Sequence, residues 1–312
     1  LDIYLPKDAK EEKLPCIVFF YGGGWGGKAL WPPENTRVLI EKGYVVAIPD
    51  YVLGGKGSPV PMAVWDGAAA IRFLRANAAK YRIDPERIGA MGLSAGGWLL
   101  QYLATSDSGT LWGNRVWGDY REVKQERYAP MVEPHPVDAE YSARVIAWVT
   151  DWGAGKLAGD VRNMADPKAW LGPDDPPMFT CGPLSETFVP AGIKAYRDAG
   201  AIAELARLGV KQANGEVVSD AKNPSDYGHC RISVALGGKL VCRDKNSKEI
   251  GFGERTLQFL HEYVKNPRTT CAPEILPRGG PVFGSLPVVL RTVHPGAQVV
   301  RGFFTYSWRN CR

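Results

Sequence analysis

The sequence predicts an α/β fold, a mostly parallel sheet layered with helices, on two observations. The first is a set of six short apolar runs in the first 208 residues, at 16–20, 44–49, 87–91, 144–149, 178–181 and 201–208. They are continuously apolar rather than alternating, the pattern of strands whose two faces are both covered. The second is the helical spacing between them. Residues 61–81 carry Val64, Ala68, Ile71, Leu74 and Ala78 at gaps of three and four, which line up as one apolar stripe. Residues 36–42, 95–105, 191–198 and 255–264 read the same way. A βαβα order packs the helices onto the sheet.

Taken in order, the chain opens on Leu1-Asp2-Ile3-Tyr4-Leu5-Pro6, which alternates like a strand; this beginning reads as a natural N-terminus that has been trimmed. Residues 106–141 interrupt the α/β rhythm with a polar and aromatic insertion holding Trp112, Trp117, Tyr120 and Tyr128, placed to serve as a lid, a substrate wall or a plain surface loop. A long link, 209–226, follows the last predicted α/β strand. After Lys265-Asn266-Pro267 the character changes to alternating strand patterns with Gly/Pro turns. The expected organisation is therefore a large domain over 1–268 and a short β-rich extension over 269–312.

The 312 residues suffice for one large domain. The net charge of +5 comes from 38 basic and 33 acidic residues, and no run of five or six Lys/Arg occurs, so nucleic acid is not an expected partner. Nothing approaches the roughly 18 consecutive apolar residues of a membrane span, so no membrane is expected either. Cys16 and Cys181 fall in buried strands as core thiols, whereas Cys230, Cys242, Cys271 and Cys311 lie in the loop-rich half, where one or two disulfides are expected. No Cys/His spacing of a zinc site occurs, so no metal is expected.

The chemistry concentrates at Gly92-Leu93-Ser94-Ala95-Gly96, between a predicted strand and a predicted helix. A serine nucleophile needs a tight strand-to-helix turn that lifts its hydroxyl above the sheet edge, and glycines two residues to either side let the neighbouring backbones approach. The helix beyond directs its positive end at a developing oxyanion. Tyr21-Gly22-Gly23-Gly24-Trp25 follows the strand at 16–20 and is placed to turn the Gly23 and Gly24 amides toward an acyl oxygen; with the Ala95 amide they would form an oxyanion hole.

The same glycines imitate two nucleotide signatures. Gly22-x-Gly24-x-x-Gly27 with Asp50 imitates a dinucleotide fingerprint, and residues 22–28 imitate a phosphate loop. The first needs a helix opening at the glycines, yet Trp31-Pro32-Pro33 intervenes; the second needs a hydroxyl where Ala29 stands.

Of the four histidines, His229 follows the last α/β strand and precedes the final helix, which is the place of a general base in the Ser…acid…His order. His135 lies in the aromatic insertion, His261 within the last helix and His294 in the extension. For the orienting acid, Glu186 follows the strand at 178–181, Asp151 follows the strand before it, and Asp226 is near His229; Glu186 is preferred, Asp151 is the alternative and Asp226 reads as a turn residue.

These residues resemble the bacterial feruloyl-esterase-like and acetyl-esterase branch of the α/β-hydrolases, close to the hormone-sensitive-lipase-like esterases. The resemblance covers about residues 1–265 and rests on Leu1-Asp2-Ile3-Tyr4-Leu5-Pro6, Gly22-Gly23-Gly24-Trp25, Asp84-Pro85-Glu86-Arg87-Ile88-Gly89, Gly92-Leu93-Ser94-Ala95-Gly96-Gly97, Thr187-Phe188-Val189-Pro190 and Gly228-His229. It implies an α/β-hydrolase fold, Ser94 as nucleophile, oxyanion donors near Gly23, Gly24 and Ala95, His229 as base and Glu186 as acid. Three departures stand out: Tyr21 replaces the usual His, Glu186 stands where Asp is commoner, and the 209–226 link is long. The tail, with Pro273-Glu274-Ile275-Leu276-Pro277-Arg278-Gly279-Gly280, resembles the start of the β-sandwich module at the C-terminus of chitobiase-like enzymes.

The implied activity is cofactor-free ester hydrolysis by acyl transfer, on a small-molecule or polysaccharide ester such as an acetyl or feruloyl ester of a carbohydrate, in a secreted or periplasmic setting. The same residues would serve an amide hydrolase, a peptidase or arylformamidase. Readings from other classes are a nucleotide-binding protein and a carbohydrate-binding scaffold without catalysis.

Overall fold

The computed structural model describes residues 1–312 except 25, 29–32, 54–59, 106–137, 139, 151–170, 182–187, 220–233, 235–239, 245, 268–287, 295–296 and 303–312. In chain order the described elements begin β1 (Asp2–Pro6), β2 (Leu14–Phe20), α1 (Pro33–Glu41), β3 (Val45–Ile48), α2 (Val60–Ala76), β4 (Ile83–Gly92) and α3 (Ala95–Thr105). They continue β5 (Trp148–Thr150), β6 (Met178–Cys181), α4 (Phe188–Asp198), β7 (Ala203–Ala206), β8 (Gly209–Lys211), β9 (Val217–Ser219), β10 (Leu240–Arg243), β11 (Glu249–Gly251) and α5 (Phe252–Leu260). A π-helical turn, His261–Lys265, extends α5, and β12 (Val288–His294) and β13 (Ala297–Gly302) close the series.

The main sheet has the order β12-β13-β1-β3-β2-β4-β5-β6-β7. From β3 to β7 every neighbouring pair is parallel, while β1, β13 and β12 add antiparallel strands at one side. All seven residues of β2 are buried, as its uninterrupted apolar run requires when helices cover both faces. On α3 the buried Leu99, Leu100, Leu103 and Ala104 form the core-facing side, and α2 approaches closely enough that a Cβ on Gly67 would lie 2.9 Å from both Leu99 and Leu103.

The buried Trp148 of β5 donates its indole N–H to the Tyr196 hydroxyl of α4 at 3.4 Å, and Tyr196 donates to the Pro176 carbonyl at 2.6 Å. These two buried rings are thereby packed with their polar atoms satisfied. At the far side Phe179 of β6 stacks on Phe252 and Phe259 of α5. The Arg255 guanidinium lies 5.4 Å from the Phe179 ring centroid and pairs with Glu204 of β7.

That ion pair is well enclosed, with side-chain exposures of 4% for Arg255 and 21% for Glu204. Removing one partner strands the other charge, which typically costs about 3–5 kcal/mol. Glu204→Ala is therefore expected to lower urea-unfolding stability by about that amount, and Glu204→Leu combined with Arg255→Met to recover most of it. A loss under about 0.5 kcal/mol in the single variant would show that solvent, not Glu204, satisfies the guanidinium.

A feature absent from the sequence reading is a second sheet of order β11-β10-β8-β9, antiparallel throughout, inserted between β7 and α5. Its β8 and β9 lie in the long link 209–226, and its β11 leads directly into α5. The 288–302 hairpin joins the main sheet, with β13 pairing β1 from Asp2↔Arg301 to Pro6↔Ala297.

The disulfide expectation is corrected at Cys242. Like Cys16 and Cys181 it is a buried thiol, and burial pushes its pKa up to about 11, leaving it protonated and unreactive at neutral pH. Cys230, Cys271 and Cys311 lie outside the described residues, as do Trp112, Trp117, Tyr120, Tyr128 and the Pro273–Gly280 motif. Among the described residues, no helix is long and apolar enough to cross a membrane.

Candidate active site

The site grows from the carboxyl ends of the parallel strands, which the register sets on one line: Phe20 pairs with Gly92, Gly92 with Thr150, and Thr150 with Thr180. Loops leaving β2, β4, β5 and β6 therefore depart from a common edge, where open α/β sheets place their ligands.

Ser94 stands between β4 and α3 with φ +50, a left-handed conformation that costs a non-glycine residue about 1–2 kcal/mol. It is 8% exposed. The turn is closed by hydrogen bonds from the Leu93 amide to the Phe20 carbonyl (3.0 Å), the Gly96 amide to the Leu93 carbonyl (2.7 Å) and the Trp98 amide to the Ser94 carbonyl (2.9 Å).

Sterics fix the two flanking glycines. A Cβ on Gly92 would lie 2.6 Å from the Gly96 carbonyl oxygen, and one on Gly96 would lie 2.2 Å from the Phe20 carbonyl oxygen and 2.4 Å from that of Tyr21. Only hydrogen fits at either place. The strained serine and the bare backbone around it are one construction, since the tight turn is possible only because its neighbours lack side chains.

The glycine run after β2 comes against the same point. A Cβ on Gly22 would lie 3.0 Å from the Ser94 Cβ and from the Leu93 carbonyl oxygen. Gly23 and Gly24 have φ of +125 and +59, and the Gly23 carbonyl accepts from the Gly26 and Gly27 amides at 3.1 and 3.2 Å. Among the described residues, the Gly23, Gly24 and Ala95 N–H groups donate to no backbone carbonyl in the turns and loops. Ala95 opens α3, where first-turn amides have no intrahelical acceptor. The structure thus brings Gly22, Ser94 and the first turn of α3 together. Neither nucleotide imitation gains support here, because α1 begins at Pro33 and not at the glycines.

His229, Glu186, Asp151 and Asp226 lie outside the described residues. Their flanking strands are described: β5 ends at Thr150 and β6 at Cys181, on the edge that carries Ser94. His261 is exposed, with its Nε2 3.2 Å from the Asn266 side-chain nitrogen, and His294 ends β12. His135 is outside the described residues.

Sequence reasoning passed over one cluster beside the glycine loop. The Tyr21 hydroxyl donates to Asp50 Oδ1 at 2.9 Å and lies 3.2 Å from the Tyr51 carbonyl; the Tyr51 hydroxyl donates to the Tyr21 carbonyl at 2.5 Å. The two rings stack with centroids 4.4 Å apart. Lys28, at the far end of the loop, pairs with the same Asp50 carboxylate and lies 5.8 Å from the Tyr21 ring centroid. Partial burial pushes the Asp50 carboxyl up, but hydrogen bonds from Lys28 and Tyr21 outweigh it and hold the group below the usual carboxylate value. A depressed carboxylate contributes its stabilisation above the ordinary pKa and loses it as pH falls through the lowered one, so the cluster is intact at neutral pH. The available signal was the pairing of β2 with β3, which carries Tyr21 and Asp50 to adjacent strand ends.

Residues 1–132 match the BD-FAE family model. Over 98 residues the chain is 41% identical to the probable isoprenylcysteine alpha-carbonyl methylesterase ICMEL1 of Arabidopsis thaliana, a stretch that is 31% of this chain and 20% of that protein. Over 97 residues it is 35% identical to carboxylesterase NlhH of Mycobacterium tuberculosis, covering 30% of each. The chain thus spans 20% and 30% of the length of these two curated relatives. A solved structure of a truncated form of a carbohydrate esterase from gut microbiota matches with a TM-score of 0.50 at 23% identity, over 65% of this chain and 79% of that one. With a mostly parallel sheet, helices flanking it and this structural likeness, the chain has the α/β-hydrolase fold.

Proposed function

We propose that this protein is a serine carboxylic ester hydrolase working through an acyl-enzyme. The observation that carries the reading is Ser94 itself. A serine held at φ +50 on a strand-to-helix turn, between glycines that admit no Cβ and against the Gly22 backbone, is a strained arrangement with no evident packing benefit. Carboxylesterase NlhH and the ICMEL1 methylesterase, both named for ester hydrolysis, are similar to this chain over stretches of 97 and 98 residues.

In this reading His229 takes the proton of the Ser94 hydroxyl as the oxygen attacks the ester carbonyl, and Glu186, or alternatively Asp151, orients the imidazole. The tetrahedral oxyanion is held by amides of Gly23, Gly24 and Ala95, a single such donor being worth about 10²–10³ in rate. His229 returns the proton to the leaving alcohol. Water, deprotonated by the same imidazole, then attacks the acyl-enzyme, releases the acid and restores Ser94. No cofactor takes part. The substrates are acetyl or feruloyl esters of carbohydrates, supported by the motif resemblance over residues 1–265.

The test pairs labelling with substrate choice. A fluorophosphonate probe is expected to add one phosphonyl group, mapped to Ser94 by peptide mass spectrometry. Turnover is expected on p-nitrophenyl acetate and methyl ferulate and to be far slower on a peptide anilide. Absence of labelling at Ser94 would remove the reading, and faster cleavage of the anilide would move it to amide hydrolysis.

A further inference from the structure

The glycine loop at 22–27 presents a physical problem that the hydrolase reading leaves open. Five glycines in six positions, two at positive φ, make a segment with few intrinsic preferences and a large entropy of ordering. An oxyanion hole works only if its donors are already aimed when charge develops. Something outside the loop has to hold it.

We propose that Tyr21, Asp50 and Lys28 form a positioning latch that ties both ends of the glycine loop to the end of β3, holding the loop's amides against Ser94. The inference rests on the hydrolase reading and adds a role for residues outside the triad and the oxyanion donors. At the entry, Tyr21 is held through side chain and main chain alike. Its hydroxyl donates to Asp50 at 2.9 Å, its carbonyl accepts from Tyr51 at 2.5 Å, and its ring is stacked on that of Tyr51. At the exit, Lys28 returns to the same Asp50 carboxylate. One carboxylate therefore closes the loop into a ring of interactions. Asp66 steadies the base of that ring by accepting from the Val52 amide at 2.8 Å, two residues beyond Asp50.

The parts differ in weight. Tyr21 is 4% exposed, so its hydroxyl bonds are sheltered. The Lys28 and Asp50 side chains are 42% and 57% exposed, and an ion pair so exposed contributes little to global stability. The latch accordingly acts on where the loop sits more than on whether the protein folds, and its loss is expected in turnover rather than in substrate binding.

The experiment compares Tyr21→Phe, Lys28→Met and Lys28→Arg with the wild type on p-nitrophenyl acetate, together with amide hydrogen exchange over residues 22–28. Tyr21→Phe keeps the stacked ring and removes only the hydroxyl. It is expected to lower kcat about tenfold with KM within about twofold, and to speed exchange in the loop. Lys28→Met is expected to lower kcat about threefold, and Lys28→Arg to restore it. Wild-type kcat in Tyr21→Phe, or faster loop exchange without any change in kcat, overturns the latch. Wild-type turnover no greater than that of Ser94→Ala would instead overturn the hydrolase reading, and the latch with it.

Discussion

Ser94→Ala is expected to lower kcat/KM on p-nitrophenyl acetate by about 10⁴- to 10⁶-fold, the loss seen when a serine nucleophile is removed from a triad. The fold should survive. Alanine at φ +50 carries about the same backbone strain as serine, so the stability change is confined to the hydroxyl and its hydrogen bonding. Ser94→Gly makes the sharper comparison. Glycine relieves the left-handed strain of about 1–2 kcal/mol and loses about 0.5–1 kcal/mol through its looser unfolded chain. The glycine variant should therefore be at least as stable as the alanine variant and equally inactive. Thermal unfolding beside initial rates checks both halves. An inactive but less stable Ser94→Gly would mean the turn is not strained, and residual activity within tenfold of wild type would mean that another group attacks the ester.

The alanine and glycine variants test the part of the molecule most legible in its sequence. The Ser94 turn is local: β4, Gly92, Ser94, Gly96 and α3 are consecutive, and the helix expected at 95–105 is found at Ala95–Thr105. The parallel strands β2 and β6 were legible because continuous apolar runs have few alternatives once both faces are covered. The end of α2 was not. Its apolar stripe continues to Ala78, yet the helix stops at Ala76, because the chain turns back through Arg82 at φ +55. Arg82 is tied by its guanidinium to the Ala9 and Glu11 carbonyls, more than seventy residues away. A tertiary anchor of that kind overrides periodicity and leaves no local trace.

The second sheet escaped notice for a different reason. Strands of three or four residues, such as Gly209–Lys211 and Glu249–Gly251, are too short to show a period of two. Asn214-Gly215 supplied a turn signal, but the run on either side was too brief to read as a hairpin. At the site, the same limit separates Ser94 from the latch. Tyr21 and Asp50 are 29 residues apart and meet only because β2 and β3 are parallel neighbours, so each looked unremarkable alone. Asp50 and Lys28 had drawn attention solely as parts of nucleotide imitations.

At Gly96 a stability loss as large as that of Glu204→Ala is expected. In Gly96→Ala the new Cβ would lie 2.2 Å from the Phe20 carbonyl oxygen and 2.4 Å from that of Tyr21, and both obstacles are backbone. Neither can rotate away. Phe20 is held in register with Gly92, and the Tyr21 carbonyl is held by the Tyr51 hydroxyl. Relief would require α3 to retreat from β2, opening the packing of Leu99, Leu100 and Leu103 beneath it. The expected cost is on the order of 3–5 kcal/mol, at the upper end for a single overpacked site. Gly24→Ala is the control, since no atom lies within 4 Å of its Cβ and only the φ of +59 opposes it, about 1–2 kcal/mol. The two substitutions add the same methyl group to glycines of the same site, so a difference between their urea midpoints isolates steric contact from backbone strain. Equal midpoints would mean that the helix does not press on the strand end, and the close approach that positions Ser94 would lose its physical basis.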